Sequence, residues 1–203
     1  DKSILIVNGE PNSIFLEIFF KALKNKKIKS PIILISSEKI LKLQMNYFNF
    51  KKKIKILDYK NLKKYKINNK SINLINIKYS QKRPFEKISS KSNNFIKQSF
   101  TIAFEIIKKY KIKKFINGPI VKNTFLQKKY LGVTEYISKK FNVKDNAMLI
   151  YNKSLSVCPI TTHLPLKFVT KNISKELIFK KTKLINYFYK KQFNIKPKII
   201  TEL

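Results

Sequence analysis

Residues 3–13 read SILIVNGEPNS, and this stretch decides the fold class. Residues 3–7 are mostly aliphatic and lack polar alternation, which is typical of a strand that is buried on both faces of a sheet. A turn follows at residues 8–13, and Ser13 can cap a helix that runs to about Asn25. A buried strand, a short turn and a helix in this order predict the beginning of an α/β fold.

Strands and helices continue to alternate after this first unit. Strands are predicted at residues 31–35, 53–57, 71–77, 114–117, 147–151, 155–160 and 198–201, and helices at about 37–45, 93–110, 121–129, 134–141, 166–169 and 175–191. Ser36 or Ser37 can cap the second helix, and residues 78–92 read as a loop. We therefore predict an α/β fold with a mostly parallel sheet and one antiparallel hairpin around Asn152-Lys153. An N-terminal α/β lobe is expected at 1–115, and part of a second one at 116–203.

The composition suggests a partner that the rest of the sequence does not support. A formal net charge of +34 would ordinarily indicate nucleic acid or an anionic membrane. Only one of the 45 basic residues is an arginine, Arg83, whereas readers of phosphates and bases favour arginine. Lysine, isoleucine, asparagine, phenylalanine and tyrosine are all abundant, and these are the residues of A/T-rich codons. Mutational bias thus explains the charge better than a polyanionic partner, and we expect no nucleic-acid binding.

The single cysteine and the apolar runs indicate the compartment. Cys158 excludes an internal disulfide, fits a reducing cytoplasm and is expected to be a buried small hydrophobe rather than a nucleophile. No apolar run approaches the roughly 18 residues of a membrane span, so no membrane partner is expected. The chain opens on a predicted strand rather than a signal peptide, and we expect that it is truncated at both ends.

Residues 156–166 read SVCPITTHLPL and contain the one histidine of the chain, His163. A predicted strand ends here, and the end of a strand presents side chains to a cleft. Neutral imidazole is the commonest ligand of transition metals, so His163 is a candidate metal ligand. The alternative is a histidine that caps the next helix or bonds locally, because one histidine does not make a metal site.

Two further segments carry candidate binding groups. Lys122 lies in the first turn of the helix predicted after Gly118-Pro119, where both the helix N-terminus and the ammonium group favour phosphate. A solvated lysine is the alternative in so basic a chain. Thr134 follows the turn at Gly132 and could simply cap a helix. No paired carboxylates, Ser/His/Asp arrangement or multi-ligand metal cluster is visible.

Four segments together resemble the motifs of one family. They are Gly9-Glu10-Pro11 with Glu17, GPIVK at 118–122, GVTEY at 132–136 and TTHLPL at 161–166. In this order and spacing they resemble the motifs of 4-hydroxythreonine-4-phosphate dehydrogenase, an enzyme of pyridoxal phosphate biosynthesis. The last segment matches the family pattern without a mismatch, and the thirty residues from Val133 to His163 match its spacing.

The resemblance implies a fold similar to that of isocitrate and isopropylmalate dehydrogenases, with two α/β lobes and mostly parallel sheets around a cleft. Such enzymes bind NAD without a Rossmann glycine fingerprint, so the absence of that fingerprint here does not exclude NAD. The similarity spans this chain but only about the first two-thirds of a family member. We therefore expect an incomplete chain that lacks the C-terminal third and is inactive alone.

The implied function is NAD-dependent, divalent-metal-assisted oxidation, with decarboxylation, of 4-phosphohydroxy-L-threonine. In the family three histidines hold the metal (Zn, Mg or Co), and one of them corresponds to His163. The other two lie beyond this chain, and one comes from the partner subunit of a homodimer. Lys122, Val133 and Thr134 are implied substrate-binding residues, and we expect the last two to lie near His163 in the cleft. No catalytic or NAD-contacting residue is assigned.

The chain also departs from the family pattern. Val133 stands where the family has a histidine that contacts the substrate, and valine donates no hydrogen bond. Ser13 and Phe15 replace glycines of the opening loop, and Leu16 replaces a proline. A non-catalytic or substrate-shifted relative is therefore the first alternative function, and a basic nucleic-acid-binding protein is the second.

Overall fold

The structure is a computed structural model, and it describes residues 3–25, 28–121, 130, 132–162 and 164–201. The chain divides into two compact units, Asp1–Gln127 and Lys128–Leu203. The strand Lys114–Asn117 belongs to the sheet of the first unit, and the expected lobe boundary after residue 115 stays a prediction. The assignment of the second unit to part of an α/β lobe stays a prediction.

The first unit is built on a five-stranded sheet in which every neighbouring pair of strands is parallel. The strand order is β3-β4-β2-β1-β5, with β1 Ile4–Val7, β2 Ile32–Ser36, β3 Ile54–Ile56, β4 Ile72–Asn76 and β5 Lys114–Asn117. The central strands β1 and β2 are almost wholly buried, as their unbroken aliphatic sequences predict. The predicted α/β fold with a parallel sheet is confirmed.

Three helices cover the two faces of this sheet. Helices α1 (Phe15–Asn25) and α2 (Glu38–Tyr47) pack on the face that carries Ile6 and Leu34, and together they form one apolar core cluster. Helix α3 (Asn93–Tyr110) covers the opposite face, since its Phe100 contacts Phe115 of β5, a residue in register with Leu5. Phe115 and Leu5 point away from the Ile6 face because side chains alternate along a strand. The core of the first unit thus lies on both sides of the sheet.

Local sequence sets the helix starts in this unit. The Ser37 hydroxyl accepts from the backbone N–H of Ile40, at 3.4 Å, so Ser37 is the predicted cap of α2. The Ser13 hydroxyl likewise accepts from the N–H of Phe15, at 3.3 Å, at the beginning of α1. The loop predicted at 78–92 is confirmed, and it ends in one 3-10 turn, Ser90–Ser92.

The second unit has less regular structure than the sequence predicted. It contains α4 (Val133–Phe141), α5 (Lys175–Phe193) and two 3-10 turns, Leu166–Phe168 and Thr170–Asn172. The strands predicted at 147–151 and 155–160 are reduced to one antiparallel bridge between Ile150 and Val157. The strand predicted at 198–201 is absent over residues 198–201, which have no regular structure. Both predictions were wrong because a strand needs hydrogen-bonding neighbours, which composition alone does not supply.

The start of α4 also differs from the prediction. Gly132 is the N-cap residue, in an extended conformation with φ −163°, so Thr134 lies within the first turn and is not the cap. The helix predicted at 121–129 lies outside the described residues except at its first position.

Apolar burial separates the two units. Tyr136 is the one buried large apolar side chain among the described residues of the second unit, and no residue of α5 is buried. Leu155, Leu166 and Phe179 are exposed by 75%, 87% and 60%. None of the helices in the described part of the chain is long and apolar enough to cross a membrane.

Substitution of isoleucine by alanine on two helices tests where the core lies. Ile96 of α3 is fully buried, so Ile96→Ala should lower the free energy of unfolding by about 2–5 kcal/mol. Ile18 of α1 is 54% exposed, and Ile18→Ala should change it by no more than about 0.5 kcal/mol. Urea unfolding followed by circular dichroism measures both, and equal effects would contradict the described core.

Native-state hydrogen exchange should separate the units. Local opening is easiest where few apolar contacts are buried. The amides of α5 should therefore exchange at least about a hundredfold faster than those of α3, relative to their intrinsic rates. Equal protection of the two helices, measured by NMR, would show that the second unit is as stable as the first.

Candidate functional site

The first candidate site lies at the carboxyl end of the parallel sheet. The chain leaves β1 toward β2 on one side, and β5 later pairs with β1 on the other side. Ligands of α/β proteins bind at such a switch in strand order, outside the carboxyl ends of the strands. The turn at 8–13 follows β1, and Gly118-Pro119 follows β5, so two of the four sequence motifs meet here.

Main chain contacts main chain at this point. The N–H of Glu10 donates to the carbonyl of Pro119 at 2.7 Å, and the N–H of Gly118 donates to that of Val7 at 2.8 Å. A Cβ atom on Gly118 would lie 1.9 Å from the Asn8 carbonyl oxygen, and one on Gly9 would lie 2.3 Å from that of Pro119. Gly9 also has a φ of +73°, a conformation that other residues rarely adopt. Only glycine therefore fits at both positions.

The Glu10 carboxylate holds the same turn in place. It is almost fully buried, and its Oε2 accepts from the Ser92 hydroxyl at 2.6 Å. Its Oε1 accepts from the backbone N–H of Asn12 at 3.2 Å and from the Asn12 side-chain amide at 3.3 Å. Both carboxylate oxygens are thus used, so Glu10 fixes the turn against the segment before α3 rather than offering an open acid or base.

Two buried polar side chains beside this turn have unused hydrogen-bonding groups. Both polar atoms of the Asn8 side chain and the hydroxyl of Ser36 have no hydrogen-bond partner among the described residues. Val7 and Ile35 are in register, so Asn8 and Ser36 are the next residues along two neighbouring strands. Buried polar groups are normally satisfied. The carboxyl edge between β1 and β2 therefore carries polar atoms without a hydrogen-bond partner among the described residues.

The second candidate site lies in the second unit and joins the other two motifs. The hydroxyl of Thr162 donates to Oε1 of Glu135, at 3.4 Å, across 27 residues of chain. Glu135 belongs to GVTEY and Thr162 belongs to TTHLPL. The second oxygen of Glu135, Oε2, is buried and has no hydrogen-bond partner among the described residues. The four motifs therefore form two contacting pairs, one in each unit.

The start of α4 is suited to an anion. Gly132 provides no side-chain cap, and the first helical hydrogen bond is donated by Tyr136 to the carbonyl of Gly132, at 3.2 Å. The backbone N–H groups of Val133, Thr134 and Glu135 precede it and have no helical acceptor. Such groups, together with the helix dipole, favour a negatively charged ligand. Both Val133 and Thr134 are half-buried in this first turn.

Burial disfavours the charged form of two ionisable side chains in the second unit. Burial raises the pKa of the Tyr136 phenol, and the neighbouring Tyr130 raises it further. Burial also raises the pKa of the Cys158 thiol, although Lys181 opposes the shift. Cys158 is half-buried rather than the buried small hydrophobe that the sequence suggested, and a raised pKa disfavours the thiolate, which is the nucleophilic form.

The predicted site residues are described only in part. Val133 and Thr134 lie in the first turn of α4, next to Glu135, whereas Lys122 and His163 lie outside the described residues. The expected closeness of Val133 and Thr134 to His163 stays a prediction. The described part of the chain contains no group of three or more His, Cys, Asp or Glu residues that could hold a metal ion.

Sequence reasoning missed several connections. It named Glu135 within a motif but not as the partner of Thr162, and it did not foresee the contact of Glu10 with Ser92. The chain has 11 acidic residues against 45 basic ones. This scarcity could have indicated that Glu10 and Glu135 have defined partners.

The fold is that of an α/β protein with a parallel sheet. Its four sequence motifs contact one another in two pairs. A family model described as pyridoxal phosphate biosynthetic protein PdxA matches residues 27–201, and the chain belongs to this family.

Relatives and solved structures agree with this assignment. The chain is 34% identical over 205 residues to the 4-hydroxythreonine-4-phosphate dehydrogenase of Sulfurihydrogenibium and 31% identical over 207 residues to that of Aquifex aeolicus. These matches cover 97% and 98% of the chain but 61% of each relative, so the chain spans about three-fifths of their length.

Two crystal structures show the same fold at 20% identity. A putative 4-hydroxythreonine-4-phosphate dehydrogenase from Salmonella typhimurium matches with a TM-score of 0.80 over 94% of this chain and 60% of that one. The enzyme from Klebsiella pneumoniae matches with a TM-score of 0.78 over 93% and 58%.

Substitution of Gly118 tests the contact between the two loops. Gly118→Ala should destabilise the first unit by at least about 1–3 kcal/mol, because the added methyl group would overlap the Asn8 carbonyl. Pro119→Ala is the control, since it keeps the carbonyl that accepts from Glu10 and should cost at most about 1 kcal/mol. Thermal unfolding with similar losses for both variants would contradict the tight contact.

Proposed function

We propose that this chain is part of an NAD-dependent, divalent-metal-assisted dehydrogenase that acts on 4-phosphohydroxy-L-threonine in pyridoxal phosphate biosynthesis. In the proposed reaction a hydride leaves the secondary alcohol carbon for the nicotinamide, and the hydroxyl proton is released. The resulting 3-oxo acid then loses carbon dioxide. The observation that carries the proposal is the hydrogen bond from Thr162 to Glu135, which joins two motifs of the PdxA family in one place.

The first turn of α4 is the proposed binding site for the anionic groups of the substrate. Its free N–H groups and the hydroxyl of half-buried Thr134 can all donate to a phosphate or a carboxylate. Lys122 is proposed as a further substrate-binding residue, on the strength of its motif alone. Each hydrogen bond to a charged group contributes about 1.5–3 kcal/mol.

A divalent metal, Zn, Mg or Co, is proposed beside Thr162. When bound it would act as a Lewis acid on the hydroxyl and carboxylate oxygens of the substrate. His163, the residue after Thr162, would supply one ligand. Since the described residues contain no cluster of three ligands, we propose that the remaining ligands come from a longer polypeptide or from the second subunit of a homodimer.

NAD is proposed from family membership, and no residue of this chain is assigned to it. A cytoplasmic location is part of the same proposal, because the single thiol fits a reducing compartment.

A substrate-shifted relative is the second candidate function, and Val133 favours it. This side chain is half-buried at the beginning of α4, where the family resemblance implies a histidine. An apolar side chain there removes one donor and suits a substrate with fewer acceptors at that point.

Calorimetric titration of the chain with 4-phosphohydroxy-L-threonine, in the presence of Mg²⁺, tests the binding role. Thr134→Val should weaken binding by about tenfold, because a hydrogen bond to a charged group is lost. Thr101→Val is the control, since Thr101 is exposed on α3 and its hydroxyl donates to the Lys97 carbonyl. Equal effects would mean that the +34 net charge attracts the phosphate without a specific site.

The same preparation distinguishes the two candidate functions. We expect no NAD reduction above that of a His163→Ala control from these 203 residues alone, because one histidine cannot hold a catalytic metal. Clear turnover would contradict the proposal of an incomplete site.

Val133→His should strengthen binding of 4-phosphohydroxy-L-threonine only if valine has shifted the substrate preference.

A further inference from the structure

We propose that Glu135 is a positioning residue, whose carboxylate fixes the Thr161–Leu166 segment to the first turn of α4. The proposal rests on the proposed function, because the segment that it fixes contains the candidate metal ligand. It assigns a task to a side chain that neither binds the metal nor reacts.

The contact lies one residue away from the candidate ligand. Oε1 of Glu135 accepts from the hydroxyl of Thr162, at 3.4 Å, and both residues are half-buried. Thr162 immediately precedes His163 in the sequence. A hydrogen bond to Thr162 therefore restricts the chain at the residue that precedes the candidate ligand. Partners of this kind orient metal ligands, and their loss weakens metal binding by about 10–100-fold.

The charge of Glu135 is not used elsewhere in the described residues. The two ion pairs found there are Lys21 with Glu17 and Lys42 with Glu38, both at 2.6 Å, so Glu135 has no ion-pair partner among them. Oε2 is shielded from solvent and has no hydrogen-bond partner in the part of the chain that the structure describes. A solvent-shielded carboxylate oxygen costs free energy unless a donor or cation reaches it. The carboxylate is thus directed at the Thr162 segment and keeps one oxygen for a donor in the bound complex.

Location on α4 explains how the carboxylate is kept there. Glu135 is the one acidic residue of the first turn, and the positive end of the helix dipole stabilises a negative charge at that place. The next residue, Tyr136, is buried and anchors the same turn. Glu135 is therefore held on a rigid element, whereas Thr162 lies in a segment without regular structure. The rigid partner orients the irregular one.

The experiment uses His163 as a reporter, because it is the one imidazole of the chain. The ¹⁵N-labelled chain is titrated with Co²⁺, and the dissociation constant is read from the imidazole signals by NMR. Glu135→Ala and Thr162→Val should each weaken Co²⁺ binding by about tenfold. Glu135→Gln and Thr162→Ser keep an acceptor and a donor, so each should retain most of the affinity. The double variant Glu135→Ala/Thr162→Val should be no weaker than either single variant, because both remove the same contact.

Glu105→Ala is the matched control. Glu105 is exposed on α3 in the first unit, and its loss changes the net charge of the chain by the same amount. Its effect on Co²⁺ binding should be under about twofold, since exposed charges are screened. If Glu135→Ala behaves like this control, or if the double variant shows the product of two independent losses, the positioning role is wrong.

A metal-free measurement separates this proposal from the proposed function. Glu135→Ala should raise the hydrogen-exchange rates of the backbone amides of Thr161, Thr162 and Leu164 by about tenfold, with those of α3 unchanged and Glu135→Gln restoring protection. Unchanged exchange overturns the positioning role. If wild-type His163 takes up no Co²⁺ while exchange responds as expected, these 203 residues do not bind the proposed metal through His163 alone, but the carboxylate still fixes the segment.

Discussion

The approach of two backbone segments at Gly9 and Gly118 is the constraint on which the first unit depends. The loops after β1 and β5 touch through main-chain atoms, and no side chain fits at either glycine. This contact fixes the direction in which the chain leaves β1, and it therefore fixes where α1 begins. Glu10 extends the constraint to Ser92, so the N-terminal side of α3 is tied to the same turn. The sheet, the turn after β1 and the helices on both faces are thus held together at this one contact.

The second unit depends on a different kind of interaction. Its described residues bury little apolar surface, and its long-range contacts are largely polar or aromatic. The Tyr189 hydroxyl donates to the Ser156 hydroxyl at 2.8 Å, and the ring of Tyr151 stacks on that of Phe193 at 5.0 Å. Contacts of this kind define a geometry without much free energy of unfolding. The candidate binding groups of this unit that lie outside α4 are therefore carried by a part of the chain that buries little apolar surface.

Prediction from sequence succeeded best for elements that depend on a local sequence pattern, and less well for those that depend on distant contacts. Helix α3 was predicted at 93–110 and lies at Asn93–Tyr110, because a helical apolar stripe is a local pattern. Strand β5 was also predicted at its observed bounds. The hairpin at Ile150 and Val157 was overestimated, because strand pairing depends on neighbours that lie elsewhere in the chain.

The site could be predicted only as a set of motifs. Their order indicated the family, which the family model then confirmed. Which motif contacts which could not be derived from the sequence, because the Thr162 and Glu135 side chains meet across 27 residues and Gly118 meets Asn8 across a longer span. The cap at Gly132 was also missed, since a glycine N-cap leaves no side-chain pattern to recognise.

The two glycines of the loop contact have a consequence for how such a biased sequence changes over time. Average usage would place about fourteen glycines in a chain of this length, whereas this one retains three. Two of them occupy the contact between the loops, and the third begins α4. At the first two positions any side chain would collide with a backbone. In a protein of this composition, the glycines at the loop contact therefore mark the positions where the chain has no freedom to vary.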